Sequence, residues 1–386
     1  MDDIGPTLEI LDRLIGFDTV SANSNLPLID HVRLHLAGLG VESELVANED
    51  GTKANLLATI GPPDTEGIVL SGHTDVVPAA GQAWSSDPFV ARRADERVYG
   101  RGAADMKGFV AVALGMVPSL LGRDLRRPVH LAFSYDEEVG CKGVPSLIDH
   151  MRDHLPRTPM GCIVGEPTMM TPVIGHKGKI GARCTVHGRT GHSALTHEAV
   201  NAVMYAGRLI AHLHETGTTL AATAEGPGFV PPHTSVSVGR IEGGSQLNIV
   251  PDRCTFEFEF RLLPDDVGQD RLAAVRRYAS EVLEPEMQRV DPRAGITFEV
   301  LMDYPGFAAD LDDPFVATCS ELLDTDEGGR VSFGTEAGWF TKKGMKSLVC
   351  GPGDIAVAHR PDEYVAVDQL VLCRSFLDRL VTRLAT

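Results

Sequence analysis

The chain is short of basic residues. Its 386 residues carry 35 Lys and Arg against 53 Asp and Glu, a formal net charge of -18. A surface this acidic repels phosphate backbones and anionic bilayers, which argues against nucleic acid and membrane as partners. It argues only weakly for a cationic substrate, because solubility alone explains it. Close cysteine pairs are also missing: the seven cysteines are odd in number and none forms a C-x-x-C, so reduced thiols are expected rather than a disulfide framework. No run approaches the ~18 uncharged residues of a membrane span. The start, MDDIGPTLEI, has neither a basic n-region nor the apolar stretch of a signal peptide, so the cytoplasm is the expected compartment. Internal repeats and low-complexity segments are absent too. What is present is ordinary for a globular enzyme with a normal core: 43% apolar and 23% charged residues.

Apolar periodicity predicts a helix around residues 7–17 and a second over 27–39, capped at Gly40. Strand-like runs follow at 42–46, 55–60 and 67–71. Residues 106–121 read as a buried helix, and 129–134 and 162–164 as buried strands, short and nearly all apolar. Alternating helices and strands favour an α/β fold with a largely parallel sheet. The character changes after Lys179. Residues 182–187 alternate, 199–213 are helical, 233–241 and 253–262 look like antiparallel strands, and 265–283 is again helical. That order is the split βαβ pattern of a ferredoxin-like module, whose sixth element falls near 297–301 or belongs to the main domain instead. The expected organisation is a catalytic domain in two parts, 1–178 and 292–386, with an inserted α+β domain over 179–291. The chain closes with a helix over about 367–384.

Six dispersed side chains carry the chemistry: His73, Asp105, Glu137, Glu138, Glu166 and His359. Each lies where a short apolar run gives way to Gly, Pro or another acid, the carboxyl end of a strand where α/β sites gather. Taken singly, each has an ordinary reading: a loop histidine for His73, a helix cap for Asp105, a solvated acidic turn for the glutamates. Together, two His and three carboxylates can hold two metal ions and leave one carboxylate as a base, the inventory of metal-assisted hydrolysis. Asp75, two residues past His73 on the same face of an extended segment, can accept the other ring proton of that imidazole. The adjacent Glu137 and Glu138 suit a division of labour between metal ligand and proton shuttle. A phosphoesterase also pairs metals, but the motifs offer only Lys107 and Arg360 nearby for phosphate.

The segments SGHTDVVP, GRGAADMKG, DEEVG, GEPT, GHSALTH, QLNIVP, FRLLP and AHRPDEY, in that order over essentially the whole chain, resemble the dinuclear zinc aminoacylase and carboxypeptidase family. The stretches GEPTMMTPVIGHKGKI, FGTEAGWF and CGPGDIAVAHRPDEY are most similar to its acetylornithine deacetylase branch. The resemblance implies a zinc-peptidase-like catalytic domain, a mixed and mostly parallel sheet flanked by helices, with an inserted ferredoxin-like lid and dimerisation domain. It implies two divalent ions, zinc or cobalt. Asp105 bridges them, His73 and Glu166 complete one site, and Glu138 and His359 the other. Glu137 is then the base, Asp75 the partner of His73, and the Asp105–Met106 peptide bond is cis. His192 corresponds to a residue that reaches the scissile carbonyl, usually from the partner subunit, so a homodimer is implied. Asn248 and Arg261 correspond to residues that hold the substrate carboxylate, where the planar guanidinium binds both oxygens. Thr335 and Glu336 correspond to substrate-side loop residues, and Glu336 is expected to pair with a substrate ammonium. The implied activity is deacylation of an N-acyl amino acid, N2-acetyl-L-ornithine to L-ornithine and acetate in arginine biosynthesis. A desuccinylase of succinyl-diaminopimelate, a broad deacylase or a dipeptidase of the same family is the alternative. A non-catalytic metal-binding scaffold would need a broken ligand or base, and none is broken here.

Overall fold

The computed structural model describes residues 4–223, 226, 228–325 and 328–386. The chain forms two compact units: Met1–Ile174 with Ala308–Gly329 and Thr335–Thr386, and Gly175–Phe307 with Arg330–Gly334.

The first unit is built on a mixed sheet. Six of its strands run in the order Ser43–Ala47, Ala54–Ile60, Val129–Ser134, Ile68–His73, Gly161–Val164 and Ser347–Val349. The first two pair antiparallel with each other, and Ala54–Ile60 is also antiparallel to Val129–Ser134. The remaining pairings, centred on Ile68–His73, are parallel. These central strands are buried along their whole length. Both faces are covered, which is why they read as nearly all apolar.

The helix Gly108–Leu121 is buried almost all round. It packs between the sheet and the helices Gly5–Ile15 and Val367–Ala385. The segment Ala103–Leu121 is long and apolar enough to cross a membrane, but it contains Asp105 and Lys107 and lies largely inside this unit. Gly115 lets the Gly5–Ile15 helix approach, since a Cβ there would lie 2.5 Å from Thr7 Oγ1. The helix Leu26–Gly38 ends as its sequence indicates, with Gly40 at φ +79°.

The second unit is a four-stranded antiparallel sheet in the order Ser235–Gly243, Arg253–Leu262, Gly178–His187 and Gly295–Tyr304. Along Arg253–Leu262 every second side chain, from Cys254 through Phe256, Phe258 and Phe260 to Leu262, is buried. They form one core with Leu209 and Leu213 of the helix Ala202–Ala222 and Leu272 of Gly268–Tyr278. The element order and strand order are those of a ferredoxin-like split βαβ. Gly295–Tyr304 pairs with Gly178–His187. This unit therefore extends beyond residue 291, because its sheet needs that strand to cover the Gly178–His187 edge. All seven cysteines are buried and unpaired.

His130, on Val129–Ser134, is 1% exposed. Its Nδ1 lies 3.0 Å from Thr59 Oγ1, while Nε2 has no partner. Burial lowers its pKa to about 4. An unfolded histidine titrates near 6.5, so unfolding takes up a proton between those values. The stability this neutral ring allows is complete above pH ~6.5 and falls as pH drops toward 4. In urea unfolding, the stability gap between the unaltered protein and His130→Gln should shift by about 2–3 kcal/mol between pH 7.5 and 4.5. A gap independent of pH would mean that the ring is not held neutral.

Candidate metal centre

Parallel pairing assembles the cluster. His73 ends its strand and is in register with Ser134, so the turn after Ser134 brings Glu137 and Glu138 to one flank of His73. On the other flank Ser71 is in register with Val164, which puts Glu166, two residues on, level with His73. All of these are carboxyl ends of adjacent strands. Gly165 permits the close approach there: a Cβ would lie 1.9 Å from the Phe109 ring.

Asp105 and His359 arrive on irregular backbone. Gly102 (φ +83°) opens the Asp105 turn, and the expected helix from Met106 starts only at Gly108. Asp105 (φ -119°, ψ 95°) and Met106 (φ -133°, ψ 35°) are non-helical, and the bond joining them is cis. His359 has φ +63°. Asp105 offers its two oxygens in two directions: Oδ1 is 3.0 Å from His73 Nε2 and Oδ2 is 3.2 Å from His359 Nε2. His359 Nε2 is also 3.2 Å from Glu138 Oε2, and Glu166 Oε1 is 3.8 Å from His73 Nε2. His73, Asp105 and Glu138 can each bring one donor atom within 4.8 Å of the others, and so can His73, Glu137 and Glu166.

Asp75 plays a different part from the one expected. The main-chain carbonyl of Asp75, at 2.9 Å, accepts the Nδ1 proton of His73, while its carboxylate stands 3.6 Å from that nitrogen. The carbonyl fixes the tautomer and leaves Nε2 turned to the cluster. The carboxylate instead accepts the main-chain N–H groups of Glu137 (3.0 Å) and Glu138 (3.3 Å) and the Ser21 hydroxyl (2.6 Å). Asp75 thus pins the backbone of the adjacent glutamates.

The donor set is short of positive charge. Burial, then neighbouring carboxylates, pushes Glu137 and Glu166 well above the usual carboxyl range. Burial and the Asp105 charge push Glu138 up to about 7. Burial opposes the charge on Asp105, but the His359 and His73 imidazoles outweigh it and hold its carboxyl low. Hydrogen bonds to Asp105 and Glu138 raise His359 to about 10. Among the described residues, Glu138 Oε1 and Glu166 Oε1 are buried with no hydrogen-bond partner. Packed carboxylates with orphaned oxygens, facing two imidazole nitrogens, fit hard or borderline divalent cations. Glu137 has a donor from outside the cluster, the Cys141 thiol, 3.4 Å from its Oε1.

Glu336, expected on a substrate-side loop, is enclosed beside the strand ends. It is 1% exposed. Its carboxylate accepts the Ser134 hydroxyl at 2.5 Å and the Ser71 hydroxyl at 3.5 Å. Burial raises its pKa to about 7. Its carboxylate is thus turned to those two hydroxyls rather than to solvent. Thr335, also buried, caps the following turn through Ala337 N (3.1 Å).

His192, Asn248 and Arg261 all lie in the second unit. The exposed His192 sits on a two-residue strand paired with Ile249–Val250, and its Nδ1 accepts from Ala194 N at 3.0 Å. The Asn248 carbonyl accepts from Ser193 N at 3.1 Å. Arg261 donates to Glu259 at 2.9 Å and to the Tyr304 hydroxyl at 3.4 Å. Sequence reasoning passed over Ser21, Cys141, Ser134, Arg101 and Glu363. Arg101 and Glu363 did have a signal, their places in GRGAADMKG and AHRPDEY, four residues from Asp105 and His359 respectively.

Residues 69–383 match the family model described as Peptidase family M20/M25/M40. An acetylornithine deacetylase from Myxococcus xanthus is 36% identical, covering 99% of this chain and 98% of its own length. One from Photorhabdus laumondii is 32% identical, covering 97% and 96%. Among solved structures, an M20 family metallo-carboxypeptidase from Sulfolobus solfataricus shares the fold with a TM-score of 0.77 at 18% identity, covering 99% of each chain. A Bacillus subtilis protein described as a dinuclear metal binding peptidase of the M20 family does so with a TM-score of 0.67 at 15% identity, again over 99% of each.

Proposed function

Because the chain belongs to peptidase family M20/M25/M40 and is a metal-dependent amide hydrolase, we propose that it deacylates an N-acyl amino acid, with N2-acetyl-L-ornithine as substrate and L-ornithine and acetate as products. The observation that carries the substrate is the near full-length similarity to acetylornithine deacetylases, at 36% identity over 99% of the chain. Its place would be arginine biosynthesis in the cytoplasm.

Asp105 would be shared between two ions, with His73 and Glu166 on one and Glu138 and His359 on the other. Two divalent cations, zinc or cobalt, supply a water of lowered pKa and polarisation of the amide carbonyl. Glu137 takes one proton from the attacking water and passes it to the amine nitrogen as the C–N bond breaks. The second water proton, left on the new carboxyl, passes to the amine, so acetate and the ammonium form of the amine leave in balance. Asp75 keeps Glu137 in place by holding its main-chain N–H. His192 is proposed to stabilise the oxyanion, from the partner subunit of a homodimer joined through the inserted unit, and Asn248 and Arg261 to bind the substrate carboxylate.

A panel of N-acetyl amino acids, N-succinyl amino acids and dipeptides, assayed with added Zn²⁺ or Co²⁺, tests the substrate. The expected result is the highest kcat/KM on N2-acetyl-L-ornithine. A higher value on N-succinyl-diaminopimelate or on a dipeptide would move the activity to that substrate, leaving the hydrolytic chemistry intact.

A further inference from the structure

A buried hydrogen-bond network joins two residues of the cluster from behind. Arg101 and Glu363 are each 1% exposed. Glu363 Oε2 accepts from Arg101 Nη1 at 2.6 Å, and its Oε1 accepts the main-chain N–H groups of Ala104 (3.0 Å) and Asp105 (3.1 Å). The other face of the guanidinium leads to His359. Arg101 Nη2 donates to Gln82 Oε1 at 2.5 Å, and Gln82 Nε2 donates to the His359 carbonyl at 2.9 Å. Arg101 Nη1 also reaches the Arg360 carbonyl at 3.4 Å. Trp84 steadies the relay: its Nε1 donates to Gln82 Oε1 at 3.1 Å, and its ring lies 5.0 Å from the Arg101 guanidinium carbon.

A fully buried ion pair adds little net stability over apolar packing, so its presence asks for another explanation. The backbone it holds supplies one. His73 sits at the end of a paired strand, and Glu166 lies two residues beyond another. Asp105, in a non-helical turn, and His359, at φ +63°, have no such ladder. The network is what ties them, one by its N–H and the other by its carbonyl.

We propose that the Arg101–Glu363 pair, relayed by Gln82, is a positioning device that sets the spacing between Asp105 and His359 and so selectively supports the ion held by Asp105, Glu138 and His359. This rests on the two-ion reading above. A merely structural pair would affect folding stability and leave metal binding alone, or weaken both ions alike.

The full chain, freed of metal, is titrated with Co²⁺ and then with Zn²⁺ by calorimetry, alongside Gln82→Leu and Glu363→Gln. Glutamine at 363 still accepts from the main chain but turns an amide donor toward Arg101. In both variants one ion should bind as in the unaltered protein, and the other about 10–100-fold more weakly. Two ions at unaltered affinity, or both weakened equally, overturn the inference. Fewer than two ions in the unaltered protein would instead remove the two-ion reading on which it stands. If Glu363→Gln does not fold, the half-buried Gln82 decides alone, with circular dichroism showing that Gln82→Leu stays native.

Discussion

Replacing Glu137 with glutamine should lower kcat on the preferred N-acyl substrate by about 10²–10⁴-fold while bound metal stays at the level of the unaltered protein. The substitution keeps shape and removes only the ability to take a proton. The main-chain anchors survive it: the N–H of residue 137 still donates to Asp75 Oδ1, and its carbonyl still accepts from Gly140 and Cys141, each at 2.9 Å. The Cys141 thiol, whose pKa burial and the Glu137 charge push well up, stays protonated and can donate to the amide oxygen as it does to the carboxylate. The loss should therefore fall on kcat, with KM little changed. Two results would sink the role: near-normal kcat, or loss of an ion, which would make Glu137 a ligand of the His73 and Glu166 group.

Asp105→Asn should have a different effect, the loss of both ions where Glu137→Gln loses none. The two Asp105 oxygens face different imidazoles, at 3.0 and 3.2 Å, and an asparagine can present an oxygen to only one of them. The cluster also loses a negative charge that offsets the two histidines. Metal content should fall from two ions per chain toward none, and kcat by roughly 10²–10⁴-fold, the several kcal/mol that metal assistance contributes. Retention of both ions at unaltered affinity would show that Asp105 is not shared.

The cluster was legible in the sequence because it is written in strand ends. An apolar run of five or six residues followed by Gly, Pro or acid marks a buried parallel strand and its carboxyl edge, and SGH, FSYDEE and IVGEP all have that form. Which strands lie side by side is not local information. Asp75 was assigned by a two-residue spacing, yet its carboxylate serves Glu137 and Glu138, 62 and 63 residues away. Glu336 looked like a loop acid because nothing near it in the sequence shows that Ser134, 202 residues earlier, closes over it. The Arg101–Glu363 pair spans 262 residues, and arginines and glutamates are elsewhere so commonly solvated that neither stood out. The place of the sixth strand stayed open in the sequence for a related reason: only the pairing with Gly178–His187 shows where Gly295–Tyr304 belongs.

The parallel pairing of Ser347–Val349 with Gly161–Val164 has a consequence for the chain as it is synthesised. Every strand of the second unit's four-stranded sheet lies within Gly178–Tyr304, so that sheet can close as soon as those residues leave the ribosome. The first unit must wait. Until Ser347–Val349 emerges, Gly161–Val164 lacks that partner along one side, an apolar edge open to wrong pairing. His359 emerges later still. The nascent chain thus carries His73, Asp105, Glu138 and Glu166 through a long interval in which the cluster is incomplete, and only residues made after Ser347–Val349 bring in the histidine that completes it.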